Sequence, residues 1–518
     1  MVRLIAPILL LLSLPGLAQA RLLRLDVQET TLAFDGQSFG RVGTYDRITA
    51  RAVIGVDPTD PSNAGITDIA IAPRNALGLV EATSDVVILR PTVADRGNGV
   101  LLYDVVNRGG MVGLGLLADA RGADAGNGFP MRQGYTMVWS GWQHDVAPGR
   151  LRMVAPVLSG ITGPSREEYV WDNATTPITA TLSYPNADPA QATLTVRARE
   201  GDVRQTPPGL AFRFLDPQRI EVTRPPGFDA GAIYEFIHTA RDPVLAGMGF
   251  AVVRDLVTFL RRDAEGNPLA RGGAPEASHA YAIGISQSGR FLRDLLHQGF
   301  NDDEDGLPVF DAIVPVIAGA RRTFTNARFA QPGRNPRQHE DRLYPGADFP
   351  FTYATTTDAL TGRTDGLLAR CQVMQTCPKI MQIDSDSEAY QGRAALLVTD
   401  TRGYSLDLPD TVRAYMLAGM PHNTTPGQVS GPQAACVMAS NPLHPGAAAR
   451  ALLTALDAWV RHDAAPPASR YPTLAHGTLV EPGGFPAIPG VPHPAPFNTA
   501  TAVNRDREPP EAGRGYPG

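Results

Sequence analysis

Residues 280–296 leave the backbone little choice. An apolar run, Ala280-Tyr281-Ala282-Ile283, leads into Gly284-Ile285-Ser286-Gln287-Ser288-Gly289. Phe291-Leu292-Arg293-Asp294-Leu295-Leu296 follows with helical spacing. A serine at the corner between a strand and a helix has a strained backbone that pushes its hydroxyl out of the fold. So tight a turn needs small residues two before and two after the serine. Around Ser286 these are Gly284 and Ser288, which fit; around Ser288 they are Ser286 and Arg290, and the arginine does not. Ser286 is therefore the candidate nucleophile. The pattern usually closes on glycine and here closes on serine, so a plain Gly/Ser turn into a helix is the competing reading.

The rest of the chain supplies the frame for such a turn. Residues 1–20 combine Arg3, an apolar stretch from Leu4 to Leu17 and a small-x-small end, Ala18-Gln19-Ala20. This reads as a signal peptide removed after Ala20, with a retained N-terminal anchor as the alternative. It predicts a secreted or periplasmic protein. No later apolar run is long enough to span a bilayer, so no permanent membrane span is expected. Residues 21–95 read as β-rich, with Leu23, Leu25 and Val27 alternating and a short run Val86 to Leu89. Residues 96–143 carry two buried-strand patterns, Val100 to Val106 and Tyr135 to Trp139. Residues 144–232 break into short alternating pieces between Pro, Gly and Asn turns, and read as a β-rich insertion. Strand and helix patterns resume over residues 233–463. They run through Ile233 to Ile237, an amphipathic helix Phe250 to Arg261, and strand candidates Ala312 to Ile317, Lys379 to Ile383 and Val412 to Leu417. A helix from Ala447 to Trp459 closes the series. Residues 464–518 are a Pro/Gly-rich tail, expected to wrap the surface or stay partly mobile. Short buried strands alternating with helices predict a mostly parallel sheet with helices on both faces, an α/β fold. In such sheets reactive groups gather at the carboxyl ends of strands.

A serine hydroxyl needs a base within hydrogen-bond reach, and the base needs a third group to hold its tautomer. Just past the Lys379 to Ile383 strand lie Asp384, Asp386 and Glu388. Just past Val412 to Leu417 lies His422. The order Ser, acid, His is that of α/β-hydrolases. His422 is the expected base and Glu388 the expected acid, with Asp386 and Asp384 as alternatives. The developing oxyanion also needs donors. The N–H of Gln287, at the start of the elbow helix, is one candidate. The N–H of Arg108 or Gly109, in the turn Asn107 to Gly110, is the other, although a plain glycine turn is an equal reading there.

Several phrases now identify a resemblance. The stretch Gly284 to Asp294, followed by Gln298 to Gly306, is similar to the bacterial α/β-hydrolase domain-containing proteins. So are Trp139 to Gln143, Val253 to Leu256, Ser387 to Tyr390, Ser469 to Pro472 and Gly477 to Val480. The resemblance covers about Leu25 to Val480. It implies an α/β-hydrolase fold and supports Ser286, Glu388 and His422. It supplies no substrate.

Charge and composition narrow the partners. A formal net charge of −6 and no basic stripe argue against nucleic acid. Lys379 is the only lysine, which we read as codon bias. No nucleotide-binding or metalloprotease motif is present, and no cofactor is expected. Asn301, Asp303 and Asp305 match the first half of a calcium loop, but Ala312 stands where the closing glutamate belongs. Asp311 is adjacent and is the one substitute; a solvated acidic turn is favoured. Of the three cysteines, Cys371 and Cys377 flank a short loop and are the favoured disulfide, with Cys436 to either partner left open. The expectation is a hydrolase of small-molecule or polymer esters. A peptidase or acyltransferase with the same residues, and a non-catalytic binding protein on the same fold, are the alternatives.

Overall fold

The structure, a computed structural model, describes residues 22–515 apart from 229–230, 263–264, 272–273, 276, 335–342, 344–345, 423–438, 440, 492, 494–500 and 505–510. The proposed leader and Cys436 lie outside the described residues.

The first strands are β1 (Leu22–Leu32), β2 (Tyr45–Val56), β3 (Val80–Pro91), β4 (Val100–Val105), β5 (Thr136–Ser140) and the short β6 (Met153–Val154). The insertion supplies β7 (Thr162–Val170), β8 (Ile178–Thr181), β9 (Asn186–Arg197), β10 (Ala211–Asp216), β11 (Arg219–Thr223) and β12 (Ile233–Arg241). Beyond it come β13 (His279–Ile285), β14 (Ala312–Val316), β15 (Lys379–Ser385) and β16 (Val412–Leu417). Among the described residues ten of these form one sheet in the order β1-β2-β3-β5-β4-β13-β14-β15-β16, with β6 also paired to β3. From β5 to β16 every neighbour is parallel; β1, β2 and β3 are antiparallel.

The parallel half is where continuous apolar runs belong, because both faces of its strands are covered. Every residue of β4 and of β14 is buried, and Ala280 to Ile283 of β13 are at most 1% exposed. The β-rich segment expected at 21–95 is not a separate unit. It extends the main sheet in antiparallel register, Ile48 opposite Ile88 and Thr30 opposite Ile48.

Four helices matter for the site: α1 (Met248–Leu260), α2 (Gln287–Gln298), α3 (Asp386–Tyr390) and α4 (Gly446–His462). The amphipathic pattern expected for α1 does not translate into an exposed face; every residue of α1 is buried. Its polar side has company. Arg254 pairs with Asp255 at 2.6 Å and reaches Asn63 Oδ1 at 2.8 Å. A charge can be enclosed this way only with partners in place. Phe250 of α1 stacks on Phe291 of α2 at 4.8 Å, and Trp142 meets the same ring at 4.3 Å. Each such buried ring is worth roughly 1.5–3 kcal/mol, so the elbow helix is fixed on two sides.

The insertion has its own small core. Strands β7-β12-β9 and β10-β11-β8 form two three-stranded sheets around Leu182, Leu194, Val196, Ile220, Val222, Tyr234 and Phe236. This corrects the expected boundary at residue 232. Strand β12, read as the return to the α/β core, pairs with β7 and β9 instead. Its alternation explains why: Tyr234 and Phe236 face the small core, while Glu235 between them bonds Arg166 at 2.6 Å. A strand with one polar, ion-paired face suits a small antiparallel sheet better than a doubly covered one.

The tail does more than lie on the surface. Arg470 pairs with the free edge of β16, its N–H donating to Ala414 O and its carbonyl accepting from Met416 N. Cys371 and Cys377 are joined in a disulfide. Among the described residues no helix is long and apolar enough to cross a membrane.

Candidate active site

The site begins with backbone sterics at the end of β13. Ser286 has φ 59° and ψ −115°, a conformation that costs a non-glycine residue of order 1–3 kcal/mol and persists only when its surroundings impose it. They do so here. The Ser286 N–H donates to Val316 O at 2.8 Å, and Ser286 O accepts from Arg290 N at 3.0 Å as α2 begins. A Cβ on Gly284 would lie 2.3 Å from Ser288 O, so glycine is required two residues before the serine. Ser288 is buried, and its hydroxyl bonds both the N–H and the carbonyl of Ile285 at 2.9 Å. It pins the turn rather than facing outward. Asn107 Nδ2 donates to Ile285 O at 2.9 Å, which ties the loop after β4 to the same corner.

The candidate acid and base follow β15 and β16, the two strands beyond β14 in the parallel half of the sheet. Ser385, the last residue of β15, caps α3, and Glu388 sits at the third position of that helix. One oxygen of Glu388 accepts from the Ser385 N–H at 3.2 Å and from its hydroxyl, closing a capping box. The other oxygen bonds His422 Nδ1 at 2.6 Å. His422 Nε2 lies 2.8 Å from Ser286 Oγ. Two more bonds hold the histidine loop to this cap: Ser387 Oγ accepts from the His422 N–H at 3.0 Å, and Asp386 accepts from Gly419 N at 2.6 Å. Burial pushes the Glu388 carboxyl up, but the hydrogen bond and charge of His422 and the two Ser385 bonds outweigh it. The group stays below the usual carboxylate range. An ionised Glu388 is what a histidine accepting a proton at Nε2 requires.

The three candidate acids thus divide by geometry. Only Glu388 meets the imidazole. Asp386 is engaged with Gly419. Asp384 is buried beneath the turn after β14, accepting from Ala318 N, Gly319 N, Gln382 Nε2 and the Tyr471 hydroxyl. Burial raises its pKa, partly offset by these bonds.

The expected oxyanion donors are placed near the elbow. Gln287 is the first residue of α2, so its N–H has no acceptor within the helix. Arg108 and Gly109 form the tip of the turn that the paired backbones of Asn107 and Gly110 close at 2.9 Å. Both have positive φ, 46° and 71°. A Cβ at Gly109 would lie 2.6 Å from Leu151 O, so that position needs glycine.

A short segment, Gln331 to Arg334, lies against this corner and escapes the sequence reading. Pro332 O accepts from the side chains of Gln143 and Gln287, Gly333 N donates to Asp145, and the Arg108 guanidinium bonds Arg334 O at 2.9 Å. On its other side Gln331 reaches Ser165 Oγ and Arg166 O, and Tyr184 bonds Ala330 O. The insertion is therefore tied to the elbow corner through residues 330–334. No motif announces these contacts; apart from Gln287 with Pro332, 45 positions apart, they join residues more than 100 positions apart.

The side chains of the weak calcium candidates have other partners. Asn301 is buried and bonds the backbone of Phe310 and Thr376, while Asp303 and Asp305 both hold the Arg262 guanidinium, at 2.6 and 2.7 Å. Asp311 is taken by Arg261 and Ala280 N. One guanidinium nitrogen of Arg262 thus pairs both aspartates. Among the described residues no group of three potential metal ligands occurs.

A family model described as an alpha/beta hydrolase domain matches residues 179–509. None of the curated proteins matches the chain. Solved structures similar to it include a rice cell wall degrading esterase, LipA, from Xanthomonas oryzae, at 12% identity and a TM-score of 0.21 over 58% of this chain and 50% of that one. A glucuronoyl esterase from Solibacter usitatus is similar at 12% identity and a TM-score of 0.26, over 76% of this chain and 81% of that one. The chain thus spans about half the length of LipA.

Proposed function

The chain belongs to the alpha/beta hydrolase domain family, whose model covers more than half of it, and on that premise we propose that it is a serine hydrolase of carboxylic esters. The observation that carries the reading is the unbroken chain from Ser286 Oγ to His422 Nε2 at 2.8 Å and from His422 Nδ1 to Glu388 at 2.6 Å, set beside a strained elbow. In this mechanism Ser286 attacks the ester carbonyl and His422 Nε2 takes its proton. Glu388 holds the Nδ1 proton and favours the imidazolium. The N–H groups of Gln287 and of Arg108 or Gly109 receive the oxyanion. The alcohol leaves with the proton from His422. A water activated by the same histidine then releases the acid from Ser286.

The leader pattern at residues 1–20 and the Cys371–Cys377 bridge support action outside the cytoplasm, where disulfides persist. The test is a fluorophosphonate probe on the purified protein, with Ser286→Ala as control, followed by matched ester and peptide substrates. Labelling that survives Ser286→Ala overturns the nucleophile, and turnover of peptides but not esters overturns the substrate class.

A further inference from the structure

Arg290 stands one helical turn after Ser286, its N–H donating to Ser286 O at 3.0 Å. The side chain is partly buried. Its Nε is fully enclosed and has no hydrogen-bond partner, and among the described residues the guanidinium makes no ion pair. A guanidinium partly withdrawn from water in this way, with its Nε unpartnered, gains from an anion that meets it.

The carboxylates around the site do not meet it. Glu388 attracts Arg290, yet both of its oxygens are engaged, one with His422 and one with Ser385. Asp384 and Asp386 are held by their own partners, and Asp145 by Gly333 N. The other charges that face Arg290 repel it. They are Arg108, on the oxyanion turn, and Arg321, just past the β14 end. Arg321 is in turn approached by Arg334 and Arg393, with Glu200 from the insertion as the opposing charge. Burial first, then this crowding of like charges, holds the arginines Arg108 and Arg321 below their ordinary range. A triad needs none of this positive charge, since its own proton transfers are complete within Ser286, His422 and Glu388.

We propose that Arg290, backed by Arg108 and Arg321, is an anion subsite beside the nucleophile, and that the preferred substrate is an ester that also carries a carboxylate. The inference rests on the serine-esterase reading and names its substrate class. A carboxylate reaching Arg290 supplies the charge-assisted hydrogen bonds the guanidinium lacks. A neutral ester leaves it bare.

The experiment uses isosteric pairs on the purified protein. With the anion on the alcohol side, 4-acetoxybenzoate is compared with 4-acetoxybenzamide; with it on the acyl side, monomethyl adipate with its neutral half-amide. The expected result is a kcat/KM preference of about tenfold or more for the acid in at least one pair, the size of one good charged hydrogen bond. Added salt should shrink that preference. Arg290→Gln should collapse the ratio toward one, with the larger loss on the acid, and Arg290→Lys should restore part of it. Wild-type enzyme that hydrolyses both members of each pair equally overturns the subsite while leaving the esterase intact. Equal losses on acid and amide in Arg290→Gln also overturn it. If Arg290→Gln does not fold, the wild-type preference and its salt dependence still decide. Failure to hydrolyse any ester, with no probe labelling at Ser286, instead sinks the esterase reading beneath it.

Discussion

Glu388 holds Ser385 with one carboxylate oxygen and His422 with the other. The cap that starts α3 and the group that orients the proposed base are one side chain. Local helix chemistry thereby helps to orient the proposed base.

Exchanging the acid for its amide tests that double role. Glu388→Gln places an amide where a carboxylate must accept the Nδ1 proton, so it should lower kcat by about 10²–10⁴-fold. Asp386→Asn keeps an oxygen for Gly419 and should stay within about tenfold of wild type. Asp384→Asn should act on stability, by about 1–3 kcal/mol, because four buried donors converge on that carboxylate. Steady-state kinetics with urea melts separates the three. A full loss in Asp386→Asn beside an active Glu388→Gln would move the role to Asp386.

The two serines of the elbow should part company just as clearly. Ser286→Ala should remove ester turnover, on the order of 10⁴-fold or more, in a protein that melts like wild type. Ser288→Ala removes a buried hydroxyl that bonds Ile285 twice. It should cost about 1–2 kcal/mol of stability and retain most activity per folded molecule. The reverse pattern rejects the elbow assignment.

Asp104 gives a pH test of the scaffold beneath the oxyanion turn. Burial pushes its carboxyl up to about 7, against the bonds it accepts from Trp139 Nε1 and Gly113 N. In the unfolded chain it ionises near about 4. Between those values the folded protein binds the extra proton, so this group's contribution is full below about pH 4 and is lost as pH rises through about 7. Glu167 is raised to about 7 as well, so wild type alone does not isolate the effect. Asp104→Asn does: its stability relative to wild type should climb across that window, by up to about 4 kcal/mol. A difference that stays constant from pH 4 to pH 8 would refute the assignment.

The disulfide closes a short loop, with a sequence separation of 6. Replacing Cys371 and Cys377 together with alanine should lower stability by about 2 kcal/mol through the freed unfolded chain. Peptide mapping of the protein produced with its leader, without reductant, should find the two linked. Free thiols at both positions in that sample reject the bridge.

What the residues revealed in advance follows range of interaction. Continuous apolar runs such as Val100 to Val105 and Ala312 to Val316 announce doubly covered strands, and the small residues around Ser286 announce the elbow. Strand β12 misled because its apolar density resembles a core strand, while the partner that occupies its polar face, Arg166, lies 69 positions away from Glu235. The three site residues each stand just past the end of one strand pattern, and those strands and the elbow are local patterns. Tyr471 under Asp384, Pro332 between Gln143 and Gln287, and the insertion's grip on Gln331 are not. They are hydrogen bonds whose two ends share no pattern along the chain.

The tail's place at the sheet edge also sets a schedule. Chains emerge from synthesis N-terminus first. Ser286, Glu388 and His422 therefore all exist before Arg470 can close the exposed side of β16 and before Tyr471 can cap the Asp384 carboxylate. The nascent protein holds its chemical groups while the floor that steadies them is still missing, and β16 meanwhile offers an open edge to any passing strand. Closing this edge is thus among the later contacts the chain can make, and a truncation that removes Arg470 and Tyr471 would leave β16 without that pairing and Asp384 one donor short.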